Sequence, residues 1–260
     1  MQNIWFKPEG YQRTSKKLQF KCLETLLGFS DIKGDVLDVG CGTGNALAII
    51  DKKGLKNYLG IDISQDMISF SETKHQGENI RFILSDFLKE NTLETHVFDN
   101  VICAACLHWF IPHEKKVIEK ISNLLRPGGK LFLSCAFNFD FLPGEKDIQA
   151  IVLNIIRNKY KPISPFVVFD NYRFSNEKLV TYVNGFDIIK SHRIEEVVEF
   201  SSYEDFCDWH LGSGSVLYQQ FSIKEQNDAV NEFYHILYER YKSGEHKVSY
   251  STGLFLLEKR

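Results

Sequence analysis

The sequence predicts an α/β fold, a doubly wound and mostly parallel seven-stranded sheet with an inserted helical and aromatic lid. Three observations predict it. From Asp35 to Cys135 short apolar runs alternate with helical spacing, the pattern of a parallel sheet covered on both faces. The first run leads into three glycines and a helix. Apolar alternation then returns from Val248 to Leu257, where a last strand can complete the same sheet.

Taken in order, Leu18, Cys22, Leu23, Leu26 and Leu27 mark the apolar face of a leading helix that Gly28 is placed to end. Strands follow at Asp35–Val39, Tyr58–Ile63, Ile80–Ser85, Phe98–Ala104 and Lys130–Cys135. Between the last two, Val117, Ile118, Ile121, Leu124 and Leu125 recur at helical spacing, and Arg126-Pro127-Gly128-Gly129 stops that helix and turns the chain. After Cys135 comes an aromatic stretch holding Pro143, Pro162 and Pro165. It is followed by helical spacing at Leu179 and Val183, apolar alternation from Phe186 to Phe200, and a helix carrying Val230, Phe233, Leu237 and Tyr241. One domain is expected over 1–260: an amino-terminal helical arm at 1–30, a core at 31–137, lid insertions at 138–184 and 201–246, and closing strands at 185–200 and 248–258.

At 260 residues, 43% hydrophobic and 25% charged, the chain has the composition of a globular protein and not of a disordered or collagenous one. A net charge of -3 offers no field to attract nucleic acid or an anionic bilayer. Met1 to Gly10 lacks the layout of a secretory signal, and Val101 to Ile111 is too short to span a bilayer, so a cytoplasmic protein without nucleic-acid or membrane partners is expected, as monomer or weak dimer. The six cysteines lie in core-like segments, which suits reduced thiols, and Cys103-x-x-Cys106 reads as buried packing. His210, His235 and His246 lack metal-ligand spacing, so no metal is expected.

The strongest signal is Val36-Leu37-Asp38-Val39-Gly40-Cys41-Gly42-Thr43-Gly44-Asn45. Glycines are needed where a backbone turns tightly against a ligand. The third glycine comes one residue earlier than in the G-x-G-x-x-G dinucleotide fingerprint, which disfavours a nicotinamide-dependent dehydrogenase. Eighteen residues past Gly44, Asp62 closes the second strand, where a carboxylate can accept from both hydroxyls of a ribose. Asp86-Phe87 follows the third strand, a carboxylate beside a ring that could clamp an adenine edge. Three strand ends thus direct polar groups at one crevice, where open α/β sheets bind ligands.

At these residues the chain resembles the class I S-adenosylmethionine-dependent methyltransferases, over about Asp31 to Ala136. The resemblance implies S-adenosylmethionine as cofactor and S-adenosylhomocysteine as product. It places Gly40, Cys41, Gly42, Thr43 and Gly44, with Asp38, along the methionine and ribose portion. Asp62, with Ile63 and Met67, would hold the ribose side, and Asp86 with Phe87 the adenine. Cys103 and Ala104 would lie near the methionyl group, and Tyr11 is a further cofactor contact.

The segment Cys106-Leu107-His108-Trp109 is similar to a subgroup that methylates free carboxyl groups, including trans-aconitate, malonyl-carrier-protein and juvenile hormone acid methyltransferases. The nucleobase-methylating Asn/Asp-Pro-Pro-aromatic segment is absent after the fourth strand. A carboxylate is ionised near neutral pH and needs no general base, whereas an alcohol or ammonium must lose a proton. The resemblance therefore implies carboxyl O-methylation of a small-molecule or acyl-carrier-bound substrate. Trp109 and Gln19 would donate to the substrate carboxylate, with His108 as the candidate base if the acceptor is instead an amine or hydroxyl. Arg173 could pair with a second carboxylate, and the rings from Phe137 to Tyr172 would line an apolar lid. The alternatives are N- or O-methylation of a small-molecule amine or hydroxyl, and a cofactor-binding protein without turnover.

Overall fold

The computed structural model describes residues 19–95, 97–110, 112–136, 175–209 and 222–260. Tyr11, Arg173 and the aromatic stretch from Phe137 to Tyr172 lie outside the described residues. In chain order the elements are α1 (Gln19–Leu27), β1 (Gly34–Val39), α2 (Asn45–Ile49), β2 (Leu55–Asp62), α3 (Gln65–Lys74), β3 (Ile80–Leu84), β4 (Phe98–Ala104), α4 (Glu114–Leu124), β5 (Leu125–Ala136), α5 (Asn176–Tyr182), β6 (Phe186–Glu199), α6 (203–209), α7 (Ile223–Lys242) and β7 (Lys247–Lys259).

All seven strands form one sheet in the order β3-β2-β1-β4-β5-β7-β6. Strands β1 to β5 run parallel, and β7 is antiparallel to β5. The order reverses between β1 and β4, which makes the carboxyl ends of those two strands the topological switch point. The predicted fold class is the observed one.

Two compact units divide the chain. The larger holds residues 19–138, 172–195 and 251–260. Its core packs Leu37 and Val39 of β1, Ile61 of β2 and Val101 and Cys103 of β4 with Val117, Ile118 and Ile121 of α4. These positions alternate along the strands and recur at three and four along the helix, so one sheet face meets one helix stripe. The residues between them face the other way. There α1 packs against α2 and β5.

Two boundaries differ from the sequence expectation. Arg126 to Gly129 does not separate helix from strand; it forms an irregularity inside β5, with Phe98 opposite Leu125 and Asn100 opposite Lys130, and Gly128 at φ +71°. Helix α5, expected in the lid insertion 138–184, belongs to the larger unit, where Leu179, Val183 and Phe186 join its core. The lid expectation for 201–246 falls within the smaller unit, which holds 1–18, 139–171 and 196–250. Within that unit, Ser222 and Glu225 cap α7 reciprocally, and Tyr203 of α6 donates to the Tyr234 carbonyl at 3.0 Å.

Candidate functional site

The site is built at the carboxyl ends of β1, β2 and β4. Leaving β1, Gly40, Gly42 and Gly44 all have positive φ (+68°, +52° and +74°). Each occupies backbone space that a side chain would strain. A Cβ at Gly40 would fall 2.1 Å from Cys106 Sγ, and one at Gly44 would fall 2.6 Å from the His75 ring. At Gly42 a Cβ would meet nothing within 4 Å. The outer glycines are thus required by the protein's own packing. The middle one presents bare backbone to open space, the arrangement expected where a ligand approaches.

The loop is held from β2 and α3. Gly40 and Cys41 donate their N–H groups to the Ile61 carbonyl, at 2.8 and 3.0 Å. Gly42 N–H donates to Asp62 Oδ2 and Ser64 N–H to Asp62 Oδ1, both at 2.9 Å. Ser71 Oγ donates to the Gly42 carbonyl at 2.7 Å. Asp62 therefore fixes the loop through backbone N–H groups while the carboxylate keeps capacity for a further donor. Burial pushes its carboxyl up, and the N–H groups of Ser64, Gly42 and Ile63 oppose that rise. Next to it, the Ile63 side chain is 69% exposed, an apolar surface at the rim of the crevice.

Asp38 is 3% exposed and accepts a hydrogen bond from Tyr58 Oη at 2.5 Å. Burial raises it to about 7, against the hydrogen bond from Tyr58, and the nearby Asp62 carboxylate adds to the rise. The sign for stability follows directly. A folded-state value above 3.8 means that Asp38 protonated favours the fold, and that contribution is lost as pH rises from about 4 to about 7. Neither Asp38 nor Asp62 is in an ion pair with a described lysine, arginine or histidine. Two buried carboxyls thus lie at this end of the sheet with no cation paired to them among the described residues.

At the switch point β4 ends in Cys103 and Ala104, and Ala105 follows at φ +50°. A non-glycine residue in that region is strained. The Ala105 N–H donates to both the Ser134 hydroxyl (2.9 Å) and the Ser134 carbonyl (3.2 Å), which holds the turn in place. The turn sends the chain into a single 3₁₀ turn, Leu107–Phe110, anchored by buried Leu107 and by Phe110 edge-on to Phe87. Trp109 and His108 ride on this platform with ring centroids 4.7 Å apart. Burial pushes the His108 imidazole down to about 4, so it is neutral at physiological pH.

Gln19 opens α1 on the same stripe as buried Cys22 and Leu26. The other end of α1, Leu27, is followed by β1 from Gly34. Asp86 follows β3, accepting from Leu88 N–H at 3.1 Å and paired with Lys89 at 3.1 Å. Thr43, Met67, Phe87 and Cys103, expected at the cofactor, have side chains only 0–4% exposed. Phe87 and Cys103 belong to the core cluster, and Phe87 is covered by Phe110 and by Lys120 Nζ 5.1 Å from its ring centre. Cys41 is also buried, its thiol pushed up by burial.

Tyr58, Ser71, His75 and Ala105 were not singled out from sequence. His75 caps the end of α3 four residues after Ser71, its N–H donating to the Ser71 carbonyl, and that spacing is the signal that could have found two of them. No group of described residues could hold a metal ion, and no described helix is long and apolar enough to cross a membrane. All six cysteines lie among the described residues, are buried and form no disulfide.

Comparison with known proteins bears on this geometry. Residues 37–133 match the family described as methyltransferase domain. A ubiquinone biosynthesis O-methyltransferase of Neisseria meningitidis is 26% identical over 134 residues, and one of Coxiella burnetii 29% over 133. Each match covers 50% of this chain and 56% of the relative, so the chain spans about half the length of the curated relatives it matches. Among solved structures, a candidate methyltransferase from Bacillus halodurans C-125 superposes with a TM-score of 0.57 at 17% identity, covering 91% of this chain and 98% of that one. The MccD protein superposes at 0.59 and 16% identity (92% and 96% covered), and the [4+2]-cyclase SpnF at 0.57 and 15% (92% and 80%). A cyclase among these neighbours shows that the architecture alone does not fix the reaction. The chain has the Rossmann-like methyltransferase fold, and its residues 37–133 match the methyltransferase domain family.

Proposed function

We propose that the chain is an S-adenosylmethionine-dependent methyltransferase acting on an oxygen of a small molecule or carrier-bound acyl chain, with a carboxylate as the preferred acceptor. The observation that carries the cofactor reading is the open backbone at Gly42 beside the Asp62 carboxylate, at the switch point of the sheet. The carboxyls of Asp38 and Asp62, without a paired cation among the described residues, suit a ligand that brings positive charge. When bound, the cofactor supplies a methyl group on a sulfonium, which an acceptor oxygen displaces in line.

The protein's own part is to hold and align. Gly40 to Gly44 present backbone to the ligand, Asp62 accepts from the ribose, Ile63 offers an apolar face, and Asp86 receives the adenine side. Trp109 and Gln19 donate to the acceptor. His108 supports the carboxylate reading by its weakness as a base. Proton transfer is most effective from a base whose pKa lies near the working pH, and an imidazole held near 4 is far from it. A carboxylate needs no such base. The relatives' name as O-methyltransferases favours a hydroxyl oxygen as the second reading.

The test offers methyl-labelled cofactor with a panel of diacids, fatty acids, malonyl-carrier protein, phenols and amines. The expected product is a labelled, alkali-sensitive ester. His108→Gln should retain turnover within about threefold, because removal of a working base would cost at least roughly a hundredfold. Trp109→Phe should lower kcat roughly tenfold or more with S-adenosylhomocysteine affinity unchanged. Label confined to an ether or amine, with activity lost in His108→Gln, would overturn the carboxylate assignment.

A further inference from the structure

Tyr58 lies in the middle of β2, 1% exposed, on the sheet face that also carries Asp38. Register places Val36 opposite Tyr58 and Asp38 opposite Gly60, so the phenol reaches diagonally across the pair of strands to the carboxyl. Gly60 has no side chain to block that path. A tyrosine buried in a parallel sheet must satisfy its hydroxyl, and here it does so on an acid that could have been a hydrophobic residue. The arrangement is costly for packing alone. Both groups are polar, both are buried, and among the described residues Asp38 makes no other side-chain hydrogen bond or ion pair.

Asp38 stands two residues before Gly40, at the floor of the glycine turn. Among the described residues, the ionisable groups that face it are Tyr58 and Asp62 from β2, Cys41 from the turn and Cys106 from the segment after β4. None is a cation. His75 meets the same turn from α3, at Gly44, and is driven toward its neutral form by burial. An ionised carboxyl in such surroundings is stabilised by one donor, and becomes fully compensated only when a cation joins it.

Resting on the cofactor reading above, we propose that Tyr58 is a positioning residue for the amino-acid end of the cofactor: it orients Asp38 and keeps it ionised for the cation that the ligand brings. The cationic group in question is the α-ammonium, which S-adenosylhomocysteine shares with S-adenosylmethionine. Cofactor binding is then coupled to loss of the Asp38 proton. Below the pH at which Asp38 ionises, the ligand must displace that proton and affinity falls. Removing the Tyr58 hydroxyl removes the interaction that favours the charged form, so the proton is held to higher pH.

The test is calorimetric titration of wild type, Tyr58→Phe, Asp38→Asn and the double variant with S-adenosylhomocysteine and with 5′-methylthioadenosine, which lacks the amino-acid end, at pH 6.5 and pH 9. The wild-type to variant ratio at each pH cancels titration of the ligand's own amine and of Asp62, which are common to both proteins. Tyr58→Phe should bind S-adenosylhomocysteine roughly tenfold more weakly at pH 6.5, a deficit that shrinks toward unity at pH 9. Its affinity for 5′-methylthioadenosine should match wild type at both pH values. In the Asp38→Asn background, adding Tyr58→Phe should cost nothing further. A deficit equal at both pH values, or equal for both ligands, would reduce Tyr58 to a packing role and overturn the proposal. Wild type failing to bind either ligand would instead overturn the cofactor reading on which it rests.

Discussion

Gly40→Ala and Gly42→Ala are expected to fail in opposite ways. At Gly40 the new Cβ would overlap Cys106 Sγ at 2.1 Å and the backbone is left-handed, so the loss should appear in the fold. Strain in the left-handed region costs about 1–2 kcal/mol and overpacking a further ~1–3 kcal/mol, which together consume much of a typical domain's stability. At Gly42 the Cβ meets no protein atom. There the folding cost is confined to backbone strain of about 1–2 kcal/mol, while a methyl group in the ligand's path should weaken S-adenosylhomocysteine binding tenfold to roughly a hundredfold. Denaturant midpoints and calorimetric titration of both variants check this. Equal binding by Gly42→Ala and wild type would show that no ligand backbone contact exists there.

Asp62→Ala should be the most damaging single change at the crevice that leaves the sheet intact. The carboxylate receives the N–H groups of Gly42 and Ser64 at 2.9 Å each, so its removal orphans loop donors and also takes away the proposed acceptor for the ribose hydroxyls. Expected losses are ~1–3 kcal/mol in cofactor affinity, and a smaller one in stability because the site is open enough for water to replace the carboxylate. Asp62→Asn keeps one acceptor oxygen but sets an amide against the second N–H donor, and should fall between the two. Cofactor affinity unchanged in Asp62→Ala would remove Asp62 from the site.

Much of this arrangement was legible in the sequence, for identifiable reasons. Strands such as Phe98–Ala104 are continuous apolar runs flanked by turn residues, and a parallel sheet buried on both faces leaves little else to confuse them with. The glycines and the two acids could be read because the local turn demands them at fixed spacing. Tyr58 could not, because its role depends on a partner twenty residues away, and by pattern it reads as one more apolar strand position. Ala105 was invisible because alanine gives no sign of a positive φ; the turn is imposed by Ser134 on a different strand. Helix α5 was misplaced because a short helix with Leu179 and Val183 shows which residues are apolar, not which core receives them. Helix α6 was missed altogether, since seven residues barely complete two turns of periodicity.

The electrostatic reading could come only from three dimensions. Asp38 inside a strand reads as an oddity, and its meaning depends on its burial, on the Tyr58 hydroxyl and on the absence of a paired cation among the described residues. His108 likewise reads as a base by type and as a neutral, weakly basic ring by environment.

The most direct test of the central claim is calorimetric titration of the wild-type chain with S-adenosylhomocysteine and, separately, with NADH at pH 8. The account predicts saturable one-to-one binding of S-adenosylhomocysteine and none of NADH. Binding of NADH in its place, or of neither ligand, would contradict it.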